Sequence, residues 1–355
     1  MNNKKKFWIM VLSTWGFLLI FATVMLIVDP YFHYHAPLSG IKYRMNEERY
    51  INNGIAKNFV YDAVITGTST CENFKTSEMD VLFDCNSVKL PFSGALYKEI
   101  SDNLLVALES DNQVKYVVWG IDGFSLITQW DEESYGGYPD YLYDDNVWND
   151  VYYLLNKESM YRGTIYDIMM TVKGEKSTSF DEYASWDHET GLQAILQYYS
   201  RSEETLPDRG LLEMERELVT DNVQKNICSV VEKYPDTTFY FFYSPVSITR
   251  WDLWNNEGTL TAQIEAEEIA TKMLLPYPNV KLFCFFENTD LITDVNYYKD
   301  TIHYESGVNS MILQWMQEGK YQLTMENAEA HTNHEKEFYQ NYDYDSIYES
   351  IGGIR

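Results

Sequence analysis

With 355 residues and a formal net charge of −27 at neutral pH, the chain is long enough for a substantial core and too acidic to hold a polyanion tightly. Nucleic acid is thereby excluded as a close partner, and so acidic a surface also repels anionic lipid heads. Four cysteines, none in C-x-x-C or Cys/His ligand spacing, argue against zinc; three disulfide pairings are open to them, while the apolar surroundings of Cys228 and Cys284 favour buried free thiols, and no cofactor is implied.

Lys4, Lys5 and Lys6 precede Phe7 to Val28, a run of 22 uncharged residues. As a helix it spans about 33 Å, enough to cross a bilayer. The run ends without a small-residue cleavage site, so an uncleaved anchor is expected rather than a signal peptide. Its basic flank predicts a cytoplasmic N-terminus with everything after Asp29 outside the membrane. Residues 1–28 are thus the cytoplasmic tip and anchor, 29–60 a membrane-proximal segment, 61–325 one α/β domain and 326–355 an acidic tail.

Asp62 to Thr66, Ser87 to Leu90, Lys115 to Trp119, Thr238 to Tyr243 and Val280 to Phe285 are short apolar runs rich in Val, Phe and Tyr. They read as buried parallel strands. Helical patterns fall between and beyond them, near 77–83, 95–109, 220–233, 259–273 and 308–317, which predicts βαβ units in a doubly wound sheet. Ligands of such sheets bind at the carboxyl ends of the strands, where Ser69, Gly94 and Asp122 follow strands one, two and three.

Residues 124–210 break the alternation with a segment crowded with tyrosine and acid, as in Tyr135-Gly-Gly-Tyr138-Pro-Asp-Tyr141-Leu-Tyr143. It reads as a partly helical insertion placed to cap the site. Its rings could grip sugar faces or pack a small core of their own. For the tail, a mobile segment and a loosely docked helix both fit. The pairs His33/His35 and His331/His334 lack further ligands in view and read as hydrogen-bonding or solvated groups.

Gly67-Thr68-Ser69-Thr70 directly follows the first apolar run, and Asp300-Thr301-Ile302-His303 lies beyond the fifth. A serine hydroxyl needs a base to take its proton, and the base needs an acid to fix its tautomer. Ser69, His303 and Asp300 meet that need. Glu72, three residues past Ser69 and near the start of a helix, and Trp251, after the fourth strand at the same edge, are further candidates for substrate contact, Trp251 as a lining of the acceptor groove. The alternatives are an acid favoured at a helix start and plain loop packing.

The order of a serine, a glycine, Gly120-Ile121-Asp122 and Asp-x-x-His resembles the SGNH or GDSL hydrolase superfamily over about residues 60 to 320. The resemblance implies a flavodoxin-like, doubly wound, five-stranded parallel sheet. It implies Ser69 as nucleophile, His303 as general base, Asp300 as its orienting acid, and Ser69, Gly94 and Asp122 around the oxyanion. Asp122 stands where the family usually has an asparagine, and a carboxylate donates only when protonated. Asp29-Pro-Tyr-Phe-His-Tyr-His35, Asn52-Asn-Gly54 and Gly67 to Phe74 resemble a single-anchor Gram-positive subgroup, similar in plan to the D-alanyl transfer protein of lipoteichoic acid synthesis and to polysaccharide O-acetylation proteins. That likeness implies a membrane-bound O-acyltransferase as partner and a cell-envelope glycan as substrate. An independent secreted esterase or lipase, and a non-catalytic glycan-binding scaffold, are the competing expectations.

Overall fold

In the computed structural model, residues 3–134 and 138–350 are described, so Tyr135, Gly136 and Gly137 of the tyrosine-rich segment, the first two residues and the last five of the tail lie outside the described residues. The described residues form two compact units, one of residues 3–60 with 138–184, the other of 61–134 with 185–350.

The first unit begins with the helix Asn3–Val28, uninterrupted by charge after Lys6, long and apolar enough to span a membrane and mostly exposed along its length. The chain then turns around Asp29, whose carboxylate accepts the amides of His33, Tyr34 and His35 at 3.0, 2.7 and 3.1 Å and the Tyr153 hydroxyl at 2.8 Å. Burial pushes this carboxyl up, and those donors pull it back only in part. On the helix Glu48–Asn58, a Cβ at Gly54 would lie 2.0 Å from the Tyr31 carbonyl oxygen, so only glycine fits. Asn52 accepts the Tyr183 hydroxyl at 2.5 Å, and Tyr143 donates to the Arg49 carbonyl at 2.9 Å. These tyrosines therefore pack the unit's own interior.

The second unit is α/β with a mixed six-stranded sheet. Its strands are β1 Ala63–Gly67, β2 Ser87–Pro91, β3 Tyr116–Ile121, β4 Thr238–Tyr243, β5 Val280–Cys284 and β6 Gln322–Leu323, in the spatial order β2-β1-β3-β4-β5-β6. The first five are parallel, and β1, β2 and all but the first residue of β3 and β4 are buried, which is why their sequences are mostly apolar, with Lys89 of β2 the buried exception. The expected count of five strands is corrected to six. β6 runs antiparallel on β5 and is only two residues long, too short to show an alternation in sequence.

Helices Thr76–Phe83, Tyr97–Glu109, Leu260–Leu274 and Ser306–Glu318 fall where the pattern places them. The stretch near 220–233 starts earlier, at Glu213, and includes the π-helical turn Val223–Cys228. The tail contains the helix Ala328–Gln340, with His331, Glu335 and Tyr339 buried. Tyr339 stacks on Trp251 at 3.9 Å, and its hydroxyl donates to the Phe286 carbonyl at 2.8 Å. His331 lies 2.9 Å from Glu287.

Beneath this helix, Glu267 and Glu335 are buried near one another, and one carboxyl oxygen of each lacks a hydrogen-bond partner among the described residues. Burial raises both carboxyls above the ordinary glutamate value, and Glu267 adds to the rise at Glu335. Groups raised in the folded state stabilise it fully below the unfolded pKa, about 4.3, and that stability is lost as pH climbs through the folded values. Denaturant midpoints should therefore fall from mildly acidic to alkaline pH, and Glu335→Gln should flatten the decline. An unchanged slope in the variant would contradict the buried pair.

Candidate active site

β1 ends at Gly67, where φ is +141° and a Cβ would meet the Cys71 sulfur at 2.5 Å. The backbone can then turn at once into the 3-10 turn Ser69–Cys71, leaving Ser69 at the carboxyl edge of the sheet. On the other side, Tyr298 and Tyr304 bridge antiparallel, closing the loop that carries Asp300 and His303. The Lys299 amide donates to the His303 carbonyl at 2.8 Å across this loop.

Ser69 Oγ lies 2.7 Å from His303 Nε2, and His303 Nδ1 lies 2.6 Å from Asp300 Oδ2. Asp300 Oδ1 accepts the backbone amides of Ile302 and His303, both at 2.7 Å. Burial alone would raise the Asp300 carboxyl. The His303 side chain and the two amides outweigh it and hold the group below the usual aspartate value. Asp300 is thus an anion at neutral pH that claims the Nδ1 proton, which leaves the Nε2 lone pair facing the serine hydroxyl.

Two hydrogen bonds tie the halves of this line together. The Thr70 carbonyl accepts the Tyr304 hydroxyl at 3.3 Å and the Asn309 amide at 3.0 Å. Buried Lys89, on β2, donates to the Glu72 and Phe74 carbonyls and fixes the chain after the serine turn. The amides of Ser69 and of Gly94, the latter at φ +61°, give no hydrogen bond to another described residue.

The other expected residues sit differently. Asp122 is 1 % exposed and accepts the hydroxyls of Thr68 and, at 3.2 Å, Thr70; Ser244 donates to Thr70 at 3.1 Å. Burial raises its carboxyl, while Ser244, Thr68 and Thr70 oppose the rise. Its side chain is an acceptor inside the serine turn. Glu72 follows the 3-10 turn as its closing residue and is buried rather than lying near the start of a helix. Trp251 is a correction: it lies on the inward face of the helix Ile248–Asn256, fully buried between Trp254, Phe286 and Tyr339, so it cannot line an acceptor groove.

Trp186 was missed. Its ring stands edge-on to His303 at 5.1 Å, its amide donates to Asn73 Oδ1 at 3.0 Å, and its carbonyl accepts Lys299 Nζ at 3.0 Å. The Lys299 ammonium also lies 4.0 Å over the indole. Burial pushes this ammonium below the ordinary lysine value against the pull of nearby acids. Trp186 thus links the segment after the serine to the loop of the histidine. Its ring, with Tyr198, Gln197 and His303, lines a pocket of about 470 Å³. A tryptophan isolated among polar residues, Ser185-Trp-Asp-His188, was the only signal for it.

No family model matches the chain, and no curated protein matches it. A solved structure from Streptococcus pneumonia, provisionally described as a platelet activating factor, is similar at 10 % identity with a TM-score of 0.39, covering 77 % of this chain and 90 % of that one. A likeness of that size carries no conclusion about this protein.

If Trp186 holds the imbedded line in register, Trp186→Ala should slow labelling of Ser69 by a serine-reactive phosphonate by about tenfold to a hundredfold, while Trp186→Phe keeps most of the rate. Equal rates for all three proteins would show that the ring does not position His303.

Proposed function

We propose that the protein is an extracytoplasmic serine-dependent acyl-esterase or O-acyltransferase that works through an acyl-Ser69 intermediate. The single observation that carries this reading is the hydrogen-bonded line from Ser69 Oγ through His303 to Asp300. In the proposed reaction Ser69 Oγ attacks an ester carbonyl as its proton passes to His303 Nε2. The amides of Ser69 and Gly94 face the oxyanion, a role worth a few kcal/mol per donor in comparable sites. The tetrahedral adduct collapses, and the leaving alcohol takes the proton from His303. An acceptor hydroxyl or water then attacks acyl-Ser69, giving its proton to His303, and serine is released with that proton.

The second unit, residues 61–134 with 185–350, is the catalytic domain in this reading, and the sheet is the flavodoxin-like, doubly wound sheet of the SGNH hydrolases extended by one antiparallel edge strand. The order β2-β1-β3-β4-β5 supports it. Lysines before the apolar helix favour a cytoplasmic N-terminus, with the domain outside. The acyl group then goes onto or off a cell-envelope glycan, with a membrane-bound O-acyltransferase as the partner that delivers it. Resemblance to the single-anchor subgroup supports this partner and substrate, through Asp29 to His35, Asn52 to Gly54 and Gly67 to Phe74.

Full-length protein in detergent should release product from an activated acetyl ester. Ser69→Ala should lower the rate on the order of 10³-fold or more, and Asp300→Asn on the order of 10³- to 10⁴-fold through loss of the correct tautomer. Undiminished release by Ser69→Ala would remove Ser69 as the nucleophile.

A further inference from the structure

The segment after the helix Val151–Leu154 places its apolar side chains on the wrong side for a water-soluble surface. The π-helical turn Ser159–Ile165 runs straight into the helix Tyr166–Lys173. Met160, Gly163, Thr164, Asp167 and Met170 are buried, whereas Tyr161, Ile165, Ile168, Met169 and Val172 are exposed, Tyr161 to 71 % and Val172 to 82 %. The exposed set recurs every three or four residues and forms one apolar stripe. Trp148, exposed to 87 %, and Tyr152 add large rings from the neighbouring turn. A contiguous apolar face of this kind marks an interaction surface.

Where this stripe lies decides what covers it. Thr164 Oγ1 donates to the sulfur of Met25 at 3.0 Å, and a Cβ on Gly163 would lie 2.7 Å from Pro30. Met25 is three residues, about 4.5 Å of helix rise, before the last residue of the apolar N-terminal helix. The buried side of the segment is therefore packed on the end of the helix that is long enough to cross the bilayer, and the stripe flanks the level at which that helix leaves hydrocarbon. Tyrosine and tryptophan are the side chains favoured at that level. Alongside the stripe, Arg44, Glu47 and Arg162 line a groove of about 490 Å³ with Tyr161, Ile165, Tyr166 and Met169, and Arg162 lies 3.7 Å from Glu47 and 3.5 Å from Glu158. Arg44 lies 4.7 Å over the Tyr166 ring. Arg44, and Arg162 in exchange for its exposed carboxylate partners, are the cations that the phosphate of a zwitterionic phospholipid headgroup would meet beside this apolar wall.

We infer that residues 148–172 form an interfacial element that lies in the outer headgroup and upper acyl region of the same bilayer that the N-terminal helix crosses. The apolar stripe supplies the attachment and the arginine-lined groove accepts lipid phosphate. This rests on the reading of that helix as a membrane anchor and is independent of the chemistry at Ser69. Its effect is to restrain the membrane-proximal unit at the lipid surface by two attachments in place of one.

The test is quenching of an environment-sensitive fluorophore on full-length protein in phospholipid nanodiscs carrying nitroxide-labelled lipid. Labels go in turn on Phe17→Cys, within the apolar helix, on Ile168→Cys, and on Val81→Cys, an exposed position in the sheet unit. A blue shift and loss of intensity at positions 17 and 168, with neither at 81, is expected. A label at 168 that behaves like that at 81, while 17 is quenched, overturns the inference, as does shielding at 168 that depends on protein concentration and not on nitroxide lipid. No quenching at 17 would instead overturn the anchor itself. Arg44→Gln with Arg162→Gln should weaken quenching at 168 and leave 17 unchanged. No effect on 168 would remove the phosphate groove from the account.

Discussion

One hydrogen bond of 2.7 Å joins Ser69 to His303 across most of the chain, and the second unit is organised around keeping its two ends together. Neither end is held by the sheet alone. The serine turn leaves β1 through Gly67, and its Thr70 carbonyl is gripped by Tyr304 and Asn309 from the histidine side. The histidine loop is closed by the Tyr298–Tyr304 bridge, and Tyr298 in turn donates to the Pro245 carbonyl at 2.9 Å after β4. Ser247 adds a bond from its amide to the Thr301 carbonyl at 3.2 Å. Each contact is worth about 1 kcal/mol, and together they restrict the freedom that would otherwise separate the imidazole from the hydroxyl.

Buried polar groups form the supports of this arrangement. Asp122, Lys89 and Lys299 are all buried, and each is satisfied by hydroxyls or carbonyls. A buried charge that loses its partners is costly, so these groups fix the loops around them more firmly than apolar packing would. Asp122 faces inward, where its carboxyl accepts the hydroxyls of Thr68 and Thr70.

Much of this was legible from the chain. β4 read clearly because burial on both faces leaves the continuous run Thr238-Phe-Tyr-Phe-Phe-Tyr243, the other parallel strands read from shorter apolar runs, and the Ser69/His303/Asp300 set read clearly because strand ends and chemistry coincide. Two-residue β6 had no pattern to show. Trp251 was misplaced because proximity to a strand end says nothing about which way a helical side chain points, and here the helix turns it into the core. Trp186 gave only the weak signal of a lone ring among polar residues, because its meaning lies in contacts with Asn73 and Lys299, each more than a hundred residues away. The apolar helix Asn3–Val28 was plain, but the exposed stripe from Tyr161 to Val172 was not, since its periodicity looks the same whether the apolar face points in or out.

The account stands on Ser69 being the atom that carries the acyl group. Full-length protein pulsed with an activated acetyl ester, quenched in acid and digested for mass spectrometry, should yield one acetyl group on the peptide containing Ser69, accumulating in a burst and lost on addition of an acceptor alcohol. Turnover of the ester with that peptide unmodified at every time point, or with the acetyl group on another residue, would contradict it.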